Sequence, residues 1–264
     1  MFTAKEYIKV KSFEEAYALN QKKRAMIIGG NMMTRLGHRK LDTVIDLSAL
    51  DAEYIIETKN EFKIGCMCSL RDLEKNKAFS DYFGDALENA LSHIVGVQFR
   101  NCATVGGSIF GRFGFSDVLT YFLCLDTYVN LYEKGLIPLK DFILESPGND
   151  VLTEIIVKKD GRKVFYDSLR LTETDFPVIT TALSFDSEKR YFSIGARPSR
   201  ANLVTVGFDE FPEKLSKKEI LSLAEKVSES FSYGSNMRAG REYRKHIAKV
   251  LTARLLEKTG CEMP

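Results

Sequence analysis

Two glycine pairs, Gly29-Gly30 and Gly106-Gly107, constrain this sequence more than any other feature. The first lies in Ile27-Ile28-Gly29-Gly30-Asn31-Met32-Met33-Thr34, the second in Thr104-Val105-Gly106-Gly107-Ser108. Each follows a short apolar stretch and leads into small polar side chains. Glycine lets the backbone approach a ligand closely and adopt positive φ, so that successive N–H groups converge on phosphate oxygens. Asn31, Thr34, Thr104 and Ser108 can add side-chain hydrogen bonds. Two such turns suit a diphosphate; taken alone, a Gly-Gly pair is more often just a turn. Neither matches the G-x-G-x-x-G of a dinucleotide fold, and the chain has no G-x-x-x-x-G-K-[ST], so neither a Rossmann site nor a P-loop is indicated.

The periodicity around these turns alternates between strand and helix. A helix is predicted over Phe13 to Leu19, a buried strand over Ala25 to Ile28 and a second strand over Thr43 to Leu47. Tyr54 to Thr58 and Phe62 to Gly65 flank a Lys59-Asn60 turn and read as a hairpin. Ser69 is placed to cap a helix with Asp72 in its first turn. Leu87, Ala90, Leu91 and Ile94 recur at helical spacing. Tyr128 to Tyr132 and Val151 to Val157 read as strands. In the last third, Val164 to Tyr166, Val178 to Phe185 and Tyr191 to Gly195 read as antiparallel strands. Ser216 and Glu219 form a capping box ahead of Ile220, Leu223, Ala224, Val227 and Phe231. A final helix carries Tyr243, Ile247, Val250, Leu251 and Leu255 on one face. Strands followed by helices indicate an α+β class.

The 264 residues carry a formal net charge of only +2, which argues against a chain that coats nucleic acid or an anionic membrane. No apolar run reaches the roughly 20 residues of a membrane span. The charged N-terminal stretch reads as mature protein, not as a secretion signal. Five cysteines, at 66, 68, 102, 124 and 261, are too scattered for a disulfide framework. They fit reduced thiols in a cytoplasm. Cys66 and Cys68 would share one face of a strand, either as a pair of metal ligands or as two small core residues. No run of four cysteines could hold an iron–sulfur cluster. His38, His93 and His246 are too dispersed for a metal site, and no metal ligands are assigned. Arg238, Arg241, Arg244 and Lys245 form a basic stretch, read as a solvated face or else a subunit contact. No Ser–His–Asp or Cys–His arrangement can be argued, so no catalytic residue is assigned.

The segment Val97 to Ile109 (VQFRNCATVGGSI), followed by Ser116-Asp117, resembles the signature Q-[IV]-R-N-x-A-T-[IVL]-G-G-[NS]-[IL] … S-D. That signature belongs to the FAD-binding subunits of the xanthine dehydrogenase and carbon monoxide dehydrogenase family. Ile28-Gly29-Gly30-Asn31 resembles the family's first FAD loop. Leu136 to Phe142 resembles its I-P-L-x-D-F, and Asn236 to Arg244 its C-terminal R-[AG]-[ST]-x-E-Y-R. The matches keep the family's order along essentially the whole chain.

The resemblance implies a two-lobed FAD-binding domain of the vanillyl-alcohol-oxidase-like (PCMH) type over residues 1–160, with lobes of about 1–52 and 53–160. A C-terminal α+β domain with an antiparallel sheet and helices would follow over 161–264. It implies that Ile27, Ile28, Gly29, Gly30, Asn31, Met32, Met33 and Thr34 wrap the FAD diphosphate from one side. Thr104, Val105, Gly106, Gly107 and Ser108 would wrap it from the other. Asp117 would hydrogen-bond the flavin nucleotide, with Ile94, Leu152 and Arg170 as further cofactor contacts. The sequence departs from the family at several points. Met32 and Met33 replace residues that are often polar or Leu, Ile94 replaces an aromatic, Phe115 a proline and Arg170 a lysine. Ile94 cannot stack as an aromatic would, and Arg170 brings a larger group that is always charged.

As a function, the resemblance implies an electron-transfer subunit of a molybdenum hydroxylase, a cytoplasmic hetero-oligomer. A molybdopterin-binding subunit would oxidise the substrate, a [2Fe–2S] iron–sulfur subunit would pass electrons singly, and FAD in this chain would deliver them in pairs to NAD or another acceptor. Two alternatives stand beside it: a self-contained FAD oxidoreductase, and a non-flavin assembly subunit that keeps only the fold.

Overall fold

A computed structural model describes residues 1–146 and 148–262, with side chains through Gly260; Cys261 lies outside the described side chains. The chain opens with strand β1 (Thr3–Lys9), helix α1 (Phe13–Asn20), and strands β2 (Ala25–Ile28) and β3 (Lys40–Asp46). Then come β4 (Ile55–Glu57), β5 (Glu61–Gly65), and the short helices α2 (Leu70–Glu74), α3 (Lys77–Phe83), α4 (Ala86–Ser92), α5 (Val97–Cys102), α6 (Val105–Phe110) and α7 (Asp117–Phe122). Next are β6 (Thr127–Leu131), β7 (Gly135–Pro138), α8 (Leu139–Phe142), β8 (Leu152–Lys158), and the run β9 (Val164–Leu169), β10 (Ile179–Phe185), β11 (Lys189–Gly195) and β12 (Asn202–Gly207). Two longer helices, α9 (Lys217–Glu229) and α10 (Arg241–Glu262), complete the α+β architecture.

Packing divides the chain into two compact units, neither of which is one run of sequence. The first is Met1–Lys75, Gly96–Gly111 and Thr127–Lys158; the second is Asn76–Val95, Arg112–Asp126 and the chain from Lys159 onward. The sequence places a domain boundary near 160 and a lobe boundary near 52. Residues 76–95 and 112–126 fall in the second unit because α4 packs on β9, and α7 packs on β10 and β11. Apolar helix faces at 87–94 and 118–122 show no partner in the sequence, so it cannot reveal that their sheet lies further along the chain.

The first unit holds two sheets. One is parallel, in the order β1-β3-β2. Its core is Ile28, Leu41 and Val44, with Phe2 and Met26 packed against it. Ser12 caps α1 by accepting from the Glu15 amide at 3.1 Å, and Glu14 and Glu15 sit in its first turn, where a helix N-terminus favours negative charge. The second sheet is antiparallel, in the order β4-β5-β8-β6-β7. Its two-residue alternation buries Phe62, Ile64, Val129, Leu131, Ile155 and Val157. Helix α6 packs on β5 and β8, and α8 on β6 and β7.

The second unit is built on the antiparallel sheet β12-β11-β10-β9. Leu183, Phe192, Ile194, Leu223, Val227, Leu251 and Leu255 form its core, and α10 packs on α9, β9 and β10. The capping box of α9 is complete: Ser216 Oγ accepts from the Glu219 amide at 3.4 Å, and the Ser216 amide donates to Glu219 Oε2 at 2.7 Å. The basic stretch at the start of α10 is not a solvated face throughout. Arg244 is 1% exposed; its Nη1 donates to the carbonyls of Val178 and Ala196, and its Nη2 to Asn236 Oδ1. Carbonyls left over at strand ends claim the guanidinium, a demand that local sequence does not display. Among the described residues no helix is long and apolar enough to cross a membrane.

Candidate cofactor site

The first glycine loop begins where β2 ends, at buried Ile28, which pairs with Asp46 of β3. Asp46 is buried too. Its carboxylate accepts from the Ser48 amide at 2.8 Å, from Ser48 Oγ at 2.9 Å and from the Tyr7 hydroxyl. Burial works against its charge, and the Tyr7 and Ser48 donors overcome it and hold the carboxyl below its ordinary value. Beyond Gly30 the chain turns through Asn31, whose φ of 55° is left-handed. A short 3-10 turn, Thr34–Leu36, follows, and Thr34 Oγ1 donates to Asn31 Oδ1. Among the described residues, no hydrogen bond is donated by the amides of Gly29, Gly30, Asn31, Met32 or Met33. These amides lie on partly exposed residues, ready for an acceptor from outside the chain.

The second glycine pair works differently. Residues 103–106 run alongside 66–70: the Leu70 amide donates to Ala103 O at 2.8 Å, Val105 to Cys68 O at 2.9 Å and Gly106 to Cys66 O at 3.1 Å. Ser69 and Thr104 form a β-bridge. Thr104 caps α6, accepting at Oγ1 from the Gly107 amide at 3.1 Å. The Ser108 amide and hydroxyl both donate to Thr104 O at 3.0 Å. The amides of residues 105–108 are therefore engaged inside the chain. This pair is the first turn of a helix, not a loop. The glycine at 106 answers to packing, since a Cβ there would lie 2.8 Å from that of Cys66 and overlap its carbonyl.

Packing also joins the two glycine segments. A Cβ on Gly29 would lie 2.6 Å from Thr104 Oγ1, and one on Gly30 would overlap the Cys102 carbonyl. The structure thus brings Ile27 to Thr34 together with Thr104 to Ser108, the two stretches that the sequence singles out. Leu152, buried at the start of β8, belongs to the strand on which α6 packs. Sequence reasoning missed what holds this assembly: Asp46 under the first loop, the Cys66-x-Cys68 backbone under the second, and a buried ion pair between Glu74 and Arg100. Cys66 and Cys68 serve through their backbone. Burial pushes both thiols up to about 12, so they are protonated, poor metal ligands. Among the described residues no group of three or more His, Cys, Asp or Glu could hold a metal ion.

The remaining expected residues belong to the second unit. Asp117 opens α7 and is 4% exposed. Its Oδ1 accepts from the Tyr166 hydroxyl and from Arg170 Nη2, so Asp117 and Arg170 are one ion pair and not two independent contacts. Burial drives the Asp117 carboxyl up, with Arg170 opposing; burial and the Asp117 charge drive the Tyr166 phenol well above its ordinary value. Arg170 also donates from Nη1 to Asp175 O at 2.7 Å. Ile94 lies just past α4, half-buried, its amide donating to Leu91 O at 2.9 Å.

Comparison with known proteins fits this geometry. Residues 2–159 match the family model described as the FAD binding domain in molybdopterin dehydrogenase. The chain is 24% identical over 269 residues to the glyceraldehyde dehydrogenase medium chain of Sulfolobus acidocaldarius, covering 93% of this chain and 95% of that one. Among solved structures, it superposes on quinoline 2-oxidoreductase from Pseudomonas putida 86 with a TM-score of 0.88 at 17% identity, covering 99% of both chains. Carbon monoxide dehydrogenase from Hydrogenophaga pseudoflava superposes with a TM-score of 0.85 at 19% identity, covering 97% of each.

Proposed function

We propose that this chain, which belongs to the family of FAD-binding domains of molybdopterin dehydrogenases, holds FAD with the diphosphate on the amides of Gly29 to Met33. The observation that carries this reading is the set of unengaged amides at the end of a parallel strand, backed directly by residues 102–104. Convergent amides bind anions without a cationic side chain. Thr104 and Ser108 bring hydroxyls to the same place, and Met32 and Met33 a soft apolar surface. Val105, Gly106 and Gly107 support the site from beneath. The absence of side chains at 29 and 30 is what lets the first loop lie flat on the second glycine segment.

Bound FAD supplies the exchange between one-electron and two-electron steps. The chain's own residues bind, orient and shield; none is assigned a proton transfer. We read the chain as the medium subunit of a molybdenum hydroxylase, passing electrons from [2Fe–2S] clusters of one partner, with a molybdopterin-binding subunit as the other, to NAD or another acceptor. The relative named a medium chain supports a multi-subunit assembly. Free Cys66, Cys68, Cys102 and Cys124 suit the reducing cytoplasm. The Asp117–Arg170 pair, Ile94 and Leu152 are proposed as further cofactor contacts on the strength of the resemblance.

The test is equilibrium binding of FAD to the purified chain. The parent should bind, and Gly30→Ala should bind at least about tenfold more weakly, since a displaced cradle loses preorganised contacts. Equal binding by both would refute the cradle.

A further inference from the structure

The first glycine loop lies against residues 102–104, and a buried ion pair stands just before them in the chain, at Arg100. Arg100, on α5, donates from Nε to Glu74 Oε2 at 2.8 Å and from Nη2 to Oε1 at 3.2 Å. The two side chains are 6% and 5% exposed. Arg71 adds a contact to Glu74 Oε2 at 2.9 Å from a side chain about one-third exposed. Two parallel N–H···O bonds fix the guanidinium in orientation as well as in distance. The pair therefore ties the end of α2 to α5, two residues before the Cys102 carbonyl on which Gly30 rests.

We propose that Arg100 and Glu74 are positioning residues for the cofactor loop: their bidentate pair sets the height of the Cys102–Thr104 backbone, and through it the placement of the amides of Gly29 to Met33. The inference rests on the FAD reading above and extends it to side chains with no place on the cofactor. The path has two links. From the ion pair, the bonds from Leu70 to Ala103 O and from Val105 to Cys68 O carry the alignment along 66–74 and 100–106. From there, backbone-on-backbone packing at Gly30 passes it to the loop, with no flexible side chain between to absorb a shift.

Two full-length variants test this. Arg100→Lys keeps the charge and removes the fork; Glu74→Gln keeps the shape and removes the charge. If one fails to fold, the other decides. Three measurements are made on each: the unfolding midpoint of the flavin-free chain, hydrogen exchange at the Leu70 and Val105 amides, and FAD affinity with the visible circular dichroism of the bound flavin. The proposal expects faster exchange at those two amides, FAD affinity weaker by about tenfold or more, and altered flavin dichroism in the folded variant. Unchanged exchange, or unchanged affinity and dichroism despite faster exchange, overturns it. So does an affinity loss no larger than the loss of folded protein accounts for, which would mark the pair as structural only. If the parent chain itself binds no FAD, the FAD reading falls and the positioning role falls with it. That outcome is told apart from the others because it is seen before any residue is changed.

Discussion

The backbone at Gly30 rests so closely on the carbonyl of Cys102 that any side-chain carbon at position 30 would overlap that oxygen and lie 3.1 Å from the Ala103 Cα. Both obstacles are backbone and cannot rotate away. Gly30→Ala should therefore cost about 1–3 kcal/mol of stability, the usual price of overpacking, together with the loss in FAD affinity. Gly240→Ala is the control, since nothing lies within 4 Å of a Cβ there. Urea unfolding of the two variants should separate them clearly.

Asp117 and Arg170 form a buried pair whose halves are not separable. Asp117→Asn leaves the Arg170 guanidinium buried beside a neutral amide and should destabilise the chain by about 3–5 kcal/mol. Arg170 Nε, already buried without a hydrogen-bond partner, offers no compensation. Denaturant midpoints measure this directly, and a loss below about 1 kcal/mol would contradict the pairing.

Glu74 links the site to pH. Burial alone would raise its carboxyl, but Arg100 and Arg71 outweigh burial and hold it below the ordinary carboxylate value. With a depressed folded value, its contribution is present above the unfolded value of about 4.3 and is lost as pH falls through the folded value. Stability of the parent should therefore drop below about pH 4 with a component that Glu74→Gln lacks. Thermal midpoints of the two proteins over that window, compared as differences, provide the check.

Arg244 satisfies carbonyls of Val178 and Ala196 that lie 48 or more positions away in sequence. Arg244→Lys keeps the charge and cannot reach both with one planar group, so at least one buried acceptor is left bare. A loss of about 1–3 kcal/mol is expected. Circular dichroism should show the same native fold in a variant that unfolds at lower denaturant.

Much of this was legible in the sequence where one local signal had one physical cause. The run ending at Gly29-Gly30, the Lys59-Asn60 hairpin, the cap at Ser69 and the box at Ser216 and Glu219 each correspond to a formed element. Strand β1 was not legible, because TAKEYIK is almost wholly exposed and shows no apolar alternation. Helix α6 was not legible either: two glycines in its first turn read as a turn, and only the close approach of Cys66 explains them there. The same blindness to long-range partners hid the use of Arg244, the pairing of Arg100 with Glu74 and the grouping of α4 and α7 with the later sheet. In the first two cases the deciding atom is a backbone or carboxylate oxygen far away in sequence, and in the third it is the apolar face of a later sheet, none of which periodicity can report.

The most direct test of the central claim is a titration of the purified, flavin-stripped chain with FAD, followed by visible spectrum and thermal midpoint together. If the chain holds FAD, the bound-flavin spectrum returns saturably and the midpoint climbs with free FAD, by the equivalent of about 2.7 kcal/mol at a hundredfold excess over Kd. Gly30→Ala should show both effects only at higher FAD. A chain that stays colourless and whose midpoint does not move at saturating FAD would contradict it.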